Sequence, residues 1–254
     1  MTKPQSSVSQ NTWDFMNEPM ITPTGFREYD ARWKYPDDIN LQGITALGLG
    51  LGTQMHLRNI EPVIAVGNDY RSYSLDIKNA LMLGLMQAGI HVKDIGAAIS
   101  PMAYFSQFYL DTPAVAMITA SHNPNGWTGV KMGFEKPLTH GPDEMSELRD
   151  IVLTGNGKPC DGGKYERIKN VREAYIQDLV GDFKMTRKLR IVCATGNGTA
   201  SAFAPEVLER IGVEVIPSHN ELDYTFPHYN PNPEAMEMLH DMSKSVINSG
   251  ADLA

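Results

Sequence analysis

Only two cysteines, Cys160 and Cys193, occur in 254 residues, and neither belongs to a C-x-x-C pair. There is also no apolar signal core near the start, so a disulfide-stapled secreted scaffold is excluded and both cysteines read as packing residues. No run of ~18 apolar residues is present, which leaves no candidate for a membrane-spanning helix. Lys and Arg form no block and the formal charge is −8. A nucleic acid or an anionic membrane as main partner would demand a basic footprint, and there is none. The G-x-S-x-G elbow of the serine hydrolases is missing. GLGLGT (48–53) falls short of G-x-G-x-x-G because Thr53 stands where the last glycine belongs. Its leucines continue a helical spacing from Ile44 through Leu47 to Leu51, so the glycines read as packing residues. These exclusions point to the cytoplasm.

What is present suits a globular chain: 42% of residues are apolar and 20% charged. The length allows one large domain or two ordinary ones. Strand-like runs at 62–68, 91–96 and 114–121 alternate with helical patterns over 74–89 and 101–111. Ser74 is the expected N-cap of the first helix and Gly89 its stop. This alternation predicts an α/β fold of mixed, mostly parallel sheets with flanking helices. A further strand is expected at 130–134 and a helix at 142–153. The stretch TGNGKPCDGGK (154–164) interrupts the pattern, and a domain boundary is expected near residue 168. Strands at 189–195 and 213–218 and helices near 171–183, 203–211 and from Pro233 follow, and ADLA reads as the beginning of a strand. The polar start of the chain, residues 1–25, reads as a flexible extension.

Between 114 and 133 the sequence is AVAMITASHNPNGWTGVKMG. An apolar strand ends by presenting Ser121 and His122, with Lys131 ten residues after the serine. Ligand sites of α/β sheets gather at the carboxyl ends of strands. Three readings stand at this point: a Ser/Asn/Pro turn without chemistry, a nucleophile of the hydrolase kind, and a serine that carries a phosphoryl group. The last needs an exposed loop, cations for the phosphate oxygens and usually a metal.

TASHNP followed by G-V-K resembles the phosphoserine loop of the α-D-phosphohexomutases, the phosphomannomutase/phosphoglucomutase family. Other segments resemble that family in the same order. FREYDAR (26–32) is similar to F-R-x-Y-D-I-R-G, VGNDYR (66–71) to V-G-R-D-x-R, and ISPMAYF (99–105) to a T-P-x-x-x-F segment. RIVCATGNGTA (190–200) resembles the opening strand and turn of the family's second domain, and FPHYNPNPE (226–234) its proline-rich loop. Asn68 and Trp33 depart from the pattern, standing where arginine and glycine are usual.

The resemblance implies the first two α/β domains of a four-domain enzyme, at 26–168 and 169–254. The implied activity interconverts hexose 1-phosphate and 6-phosphate, of mannose or glucose, through a phosphoserine and a hexose bisphosphate. Catalysis would fall on Ser121, His122, Lys131 and Arg32, and substrate contact on Tyr29, Arg32 and Lys131. Arg71, which the pattern retains, reads either as a residue tying the loop to the sheet or as a directly catalytic one. The implied cofactor is Mg²⁺, held by the phosphoryl group on Ser121 and by the aspartates of a D-G-D-G-D-R loop. That loop belongs after the strand starting near Ala251, and no such motif occurs in this sequence. Residues 1–254 alone are therefore expected to lack mutase activity, with the C-terminal domains of the same chain as partners. Arg32 and Lys131 could instead be surface ion-pair residues, GNGTA a phosphate-binding or a structural turn, and Asp37–Asp38 a solvated turn. The alternative to the whole reading is a non-catalytic α/β sugar-phosphate binding or scaffold module.

Overall fold

The computed structural model describes residues 3–254. The chain forms two compact units. One comprises residues 1–69, 73–120 and 126–171; the other takes 172–254 together with the short segments 70–72 and 121–125.

The first unit opens with a short helix α1 (Trp13–Asn17), followed by strand β1 (Ala31–Lys34) and the long helix α2 (Leu41–Leu57). Then come β2 (Val63–Asn68), α3 (Ser74–Gln87), β3 (His91–Ala97), α4 (Ser100–Tyr109) and β4 (Ala114–Ile118). β5 (Trp127–Gly133), α5 (Pro142–Leu153) and β6 (Lys164–Arg167) complete it. The sheet order is β1-β5-β4-β2-β3-β6. β4, β2, β3 and β6 run parallel, while β5 is antiparallel to both β4 and β1. The continuous apolar runs of β2 and β4 sit in the middle, buried on both faces as parallel strands are. In register, Asn68 lies opposite both Ala97 and Ile118. The carboxyl ends of β2, β3 and β4 thus form one edge, and the serine segment leaves from it.

The glycines at 48–52 are helix-packing residues, as their spacing predicts. All lie within α2, and a β-carbon on Gly48 would stand 2.2 Å from the carbonyl oxygen of Leu81 in α3. In the reverse direction, one on Gly84 would stand 2.0 Å from the Thr45 carbonyl oxygen. Ala would improve intrinsic helix propensity at position 84 by about 1 kcal/mol. The clash is with backbone, which cannot swing aside, and overpacking of this kind costs about 1–3 kcal/mol. Gly84→Ala is therefore expected to lower the denaturation midpoint, and a raised midpoint would show that the two helices have slack between them.

Several details differ from expectation. Residues 3–25 were expected to be loose, yet Gln5 bridges to Met20 in parallel fashion, and Met20 and Ile21 are fully buried. Their burial carries no periodic signal, and the Asn40 side chain helps pin the segment, accepting the Met20 N–H at 2.9 Å and donating to the carbonyls of Phe15 at 2.9 Å and Glu18 at 2.8 Å. Ser74 is the first helical residue rather than the cap; Tyr73 occupies that position without a side-chain capping bond, and the Ser74 hydroxyl donates instead to Asp69. β6 was not anticipated because KYER has no apolar alternation and every residue in it is exposed. Its anchor is electrostatic. The buried Asp94 carboxylate accepts from Lys78 at 2.8 Å, from Arg167 at 3.0 Å and from the Tyr165 hydroxyl at 3.0 Å. Cys160 is exposed, contrary to the packing role expected of it; Cys193 is buried, and burial pushes its thiol pKa up.

The second unit pairs β7 (Arg190–Ala194) and β8 (Glu214–Ser218) in parallel, with Leu253 forming a single parallel bridge to Ile191. Its helices are α6 (Val171–Val180), α7 (Ala204–Arg210) and α8 (Met236–Ser249). Arg210 spans Glu173 and Glu206, tying α6 to α7. The turn at 196–198 is structural: Asn197 N–H donates to the His219 carbonyl at 2.7 Å and Gly198 N–H to that of Thr195 at 3.1 Å. Those amides are spent within the fold and cannot also cradle a phosphate. No helix among the described residues is long and apolar enough to cross a membrane.

Candidate functional site

The serine loop begins where the β4 ladder stops. Thr119 still donates to the Gly129 carbonyl of β5 at 3.0 Å, and Thr119 and Ala120 are buried. Ser121 then adopts φ +56°, a left-handed conformation that costs a residue with a β-carbon about 1–2 kcal/mol. A strand continued to 121 would put Ser121 on the same face as buried Thr119, because side chains alternate with period two. The left-handed residue breaks that alternation, and Ser121 is exposed. His122 is exposed beside it, its Nδ1 3.4 Å from the Ser121 Oγ.

Arg71 holds the loop by its backbone. Its guanidinium donates to the carbonyls of Ser121 at 3.2 Å, Asn123 at 2.5 Å and Pro124 at 3.0 Å. A planar fork holds its donors in fixed directions and spreads them over three carbonyls, whereas a lysine offers its donors from a single point. This is the tying role the sequence suggested for Arg71.

Arg32 is buried on β1 rather than lying on the surface. One guanidinium nitrogen donates to the Ala120 carbonyl at 3.0 Å and another pairs with Asp30, while Nε is buried without a partner. The structure thus puts Arg32 on the carbonyl preceding Ser121. Lys131 is half-buried on β5, opposite Met117 of β4, and among the described residues it enters no ion pair. Tyr29 is 63% exposed in the turn before β1, with its ring open to solvent.

Asp69 was given no role by the sequence. Its carboxylate is buried, accepting the Ala120 N–H at 3.3 Å through one oxygen and the Ser74 hydroxyl through the other. The available signal was an acidic residue between a strand end and a helix start, a usual place for side-chain-to-backbone bonding.

Mg²⁺ requires a near-octahedral set of oxygen ligands. Among the described residues no group of three or more His, Cys, Asp or Glu could hold a metal ion. The carboxylate of Asp69 is committed to Ala120 and Ser74. The described side chains therefore do not make a Mg²⁺ site by themselves.

An exposed serine turned outward at the carboxyl edge of a mostly parallel sheet, beside a histidine, defines an α/β protein built to present one hydroxyl. The chain belongs to the phosphoglucomutase/phosphomannomutase family: the model for alpha/beta/alpha domain I matches residues 23–157 and that for domain II residues 173–254. It is 32% identical over 235 residues to a phosphomannomutase/phosphoglucomutase of Pseudomonas syringae pv. tomato, covering 92% of this chain and 50% of that one. A phosphomannomutase of Escherichia coli is 32% identical over 242 residues, covering 91% and 52%. Among solved structures, a phosphoglucomutase/phosphomannomutase family protein from Burkholderia thailandensis superposes with a TM-score of 0.85 at 25% identity, covering 91% of this chain and 52% of that one. A structure from Thermus thermophilus shares the fold with a TM-score of 0.72 at 22% identity, covering 91% and 52%. The chain spans about half the length of the curated relatives it matches.

Proposed function

We propose that this chain carries the phosphoserine half of a phosphohexomutase acting on hexose 1- and 6-phosphates, those of mannose or glucose. The observation that carries this reading is Ser121, exposed and left-handed at the end of β4, in a chain of this family. In the forward step the bond between phosphorus and Ser121 Oγ breaks, and a bond forms between phosphorus and a hydroxyl oxygen of the hexose phosphate. The product is a hexose bisphosphate, and the hydroxyl proton leaves to a base. After the intermediate turns over, its other phosphoryl group returns to Ser121, so nothing is consumed. His122 is the nearest imidazole to the serine oxygen and is proposed as a proton carrier there, because its Nδ1 already lies 3.4 Å from Oγ.

Two phosphate dianions ~5 Å apart repel by about 3 kcal/mol even in bulk-water dielectric. Local cations must offset this in a chain whose formal charge is −8. Lys131 is proposed to supply that charge, since no described carboxylate neutralises it. Tyr29 is proposed to contact the sugar phosphate from its exposed turn. Arg32, already holding a backbone carbonyl, is proposed to keep Nε for a phosphate oxygen. Mg²⁺ at a phosphoryl group on Ser121 is a further proposal; its remaining ligands must come from outside the residues described, and no step above is routed through it.

Incubating the full-length protein with a hexose 1,6-bisphosphate and measuring intact mass tests the reading. A gain of one phosphoryl group that maps to Ser121 supports it. A protein that binds hexose phosphates yet never takes up the group is the non-catalytic binding module instead. Within this reading, Lys131→Ala should lower kcat/KM by roughly 10²-fold, about 3 kcal/mol, typical of removing one stabilising donor from a transition state. Wild-type kinetics in that variant would return Lys131 to the solvated surface.

A further inference from the structure

The conformation of Ser121 is held from both sides. A residue's φ and ψ express the relation between the two peptide planes that flank it. The plane before Ser121 carries the Ala120 carbonyl, which Arg32 grips at 3.0 Å, and one residue earlier the Ala120 N–H donates to Asp69 at 3.3 Å. The plane after it carries the Ser121 carbonyl, which Arg71 grips at 3.2 Å. Every one of these bonds has a charged partner, the stronger class of hydrogen bond.

Asp69 and Arg71 are themselves fixed at the end of β2. The Asp69 N–H donates to the Ile118 carbonyl at 2.9 Å, and the Asn68 side chain donates to the Asp69 carbonyl at 2.8 Å. The first turn of α3 supplies Ser74, whose hydroxyl orients the Asp69 carboxylate. Ala120 is thus referenced to the central parallel strands through Asp69.

We infer that Asp69 and Arg71 are positioning residues: with Arg32 on the intervening carbonyl, they clamp Ser121 in the left-handed conformation that turns its hydroxyl outward. Both act through the main chain of the nucleophile. The catalytic consequence rests on the reading of Ser121 as phosphoryl carrier, whereas the conformational claim stands on the backbone bonds alone.

Two variants separate these claims. Asp69→Asn is isosteric and still offers one oxygen to the Ala120 N–H, but it removes the charge and makes the Ser74 hydroxyl accept where it now donates. Arg71→Lys keeps the charge and loses the fork. In the 254-residue chain, the backbone and β-carbon chemical shifts of Ser121 report its conformation by NMR. They are expected to leave the left-handed region in both variants while the dispersion of the β2 and β4 resonances is retained. In the full-length protein, phosphoryl uptake from a hexose 1,6-bisphosphate is followed by intact mass across a concentration series. The maximal rate is expected to fall tenfold or more with the half-saturating concentration unchanged, a split that general loosening of the fold does not produce. Wild-type Ser121 shifts in both variants, or wild-type maximal uptake, overturns the clamp. Should Asp69→Asn fail to fold, Arg71→Lys decides alone. If the wild-type protein itself takes up no phosphoryl group, the carrier reading fails, and the shifts of Ser121 still decide the clamp.

Discussion

With Ser121 as the proposed phosphoryl carrier, Ser121→Ala is expected to abolish phosphoryl uptake and hexose phosphate interconversion in the full-length protein, a loss on the order of 10⁴-fold or more, as when an enzyme loses its nucleophile. The fold should be untouched. Ser121 is exposed, and its hydroxyl lies 3.4 Å from the His122 Nδ1. Alanine carries the same β-carbon, so the left-handed backbone is no more strained than before, and the grips on the carbonyls of Ala120 and residue 121 remain. The thermal midpoint should accordingly stay where it is, and hexose phosphate binding should persist. Stopped-flow or coupled assays read the activity and calorimetry the midpoint. Interconversion at a substantial fraction of the wild-type rate would remove Ser121 from the chemistry. Loss of activity together with loss of the fold would mean that the hydroxyl is structural.

The second large effect is on stability. Lys78 and Asp94 are both buried and lie 2.8 Å apart, joining α3 to β3. Burial alone would push the Asp94 carboxyl pKa up. The hydrogen bonds from Lys78 and Gly96 and the charges of Lys78 and Arg167 outweigh it and hold the pKa below the ordinary carboxylate range. Removing one partner of a buried pair leaves an uncompensated charge and costs about 3–5 kcal/mol. Arg167 still reaches Asp94 but is half exposed, so Lys78→Met should fall near the lower end of that range. A melting point about 6–12 °C lower follows for a unit of this size. Replacing both partners by apolar residues should recover most of the loss. The pH dependence has a definite sign. A folded-state pKa below the unfolded value contributes stability above about pH 4, and that contribution disappears as pH falls through the lowered value. An unchanged melting point for Lys78→Met, or an Asp94→Asn variant with the same acid limb as wild type, would contradict this account.

The sequence made some of these features legible and hid others, for physical reasons. The strands at 63–68 and 114–118 are continuous apolar runs, and the helix at 142–153 opens on Gly-Pro and closes its amphipathic face at Leu153, so local pattern sufficed. β6 was hidden because its Tyr165 and Arg167 side chains are anchored on a carboxylate of another strand, Asp94, rather than in an apolar core. The burial of Met20 and Ile21 was hidden because pairing with a neighbouring segment, rather than periodicity, puts them inside. At the candidate site, motif resemblance singled out Ser121, His122, Lys131, Arg32 and Tyr29. It could not say that Arg32 would lie on the Ala120 carbonyl, a partner 88 positions along the chain, or that Asp69 would accept the Ala120 N–H from 51 positions away. Those contacts exist only once β1, β2 and β4 share one sheet.

The composition of β6 also bears on how the protein behaves in concentrated solution. Sheet edges recruit strands from other molecules when they are flat, apolar and uncharged. Here the last strand of the sheet reads KYER: three of its four side chains are charged, and none is buried. An incoming strand would have to strip water from Lys164, Glu166 and Arg167 while gaining no apolar contact in exchange. The apolar strand β2 and its neighbour β3 are thereby screened from lateral growth into fibrils or precipitates. Exchanging Lys164 and Glu166 for valine should leave the monomer's melting behaviour nearly unchanged and yet bring on turbidity at concentrations the wild-type protein tolerates.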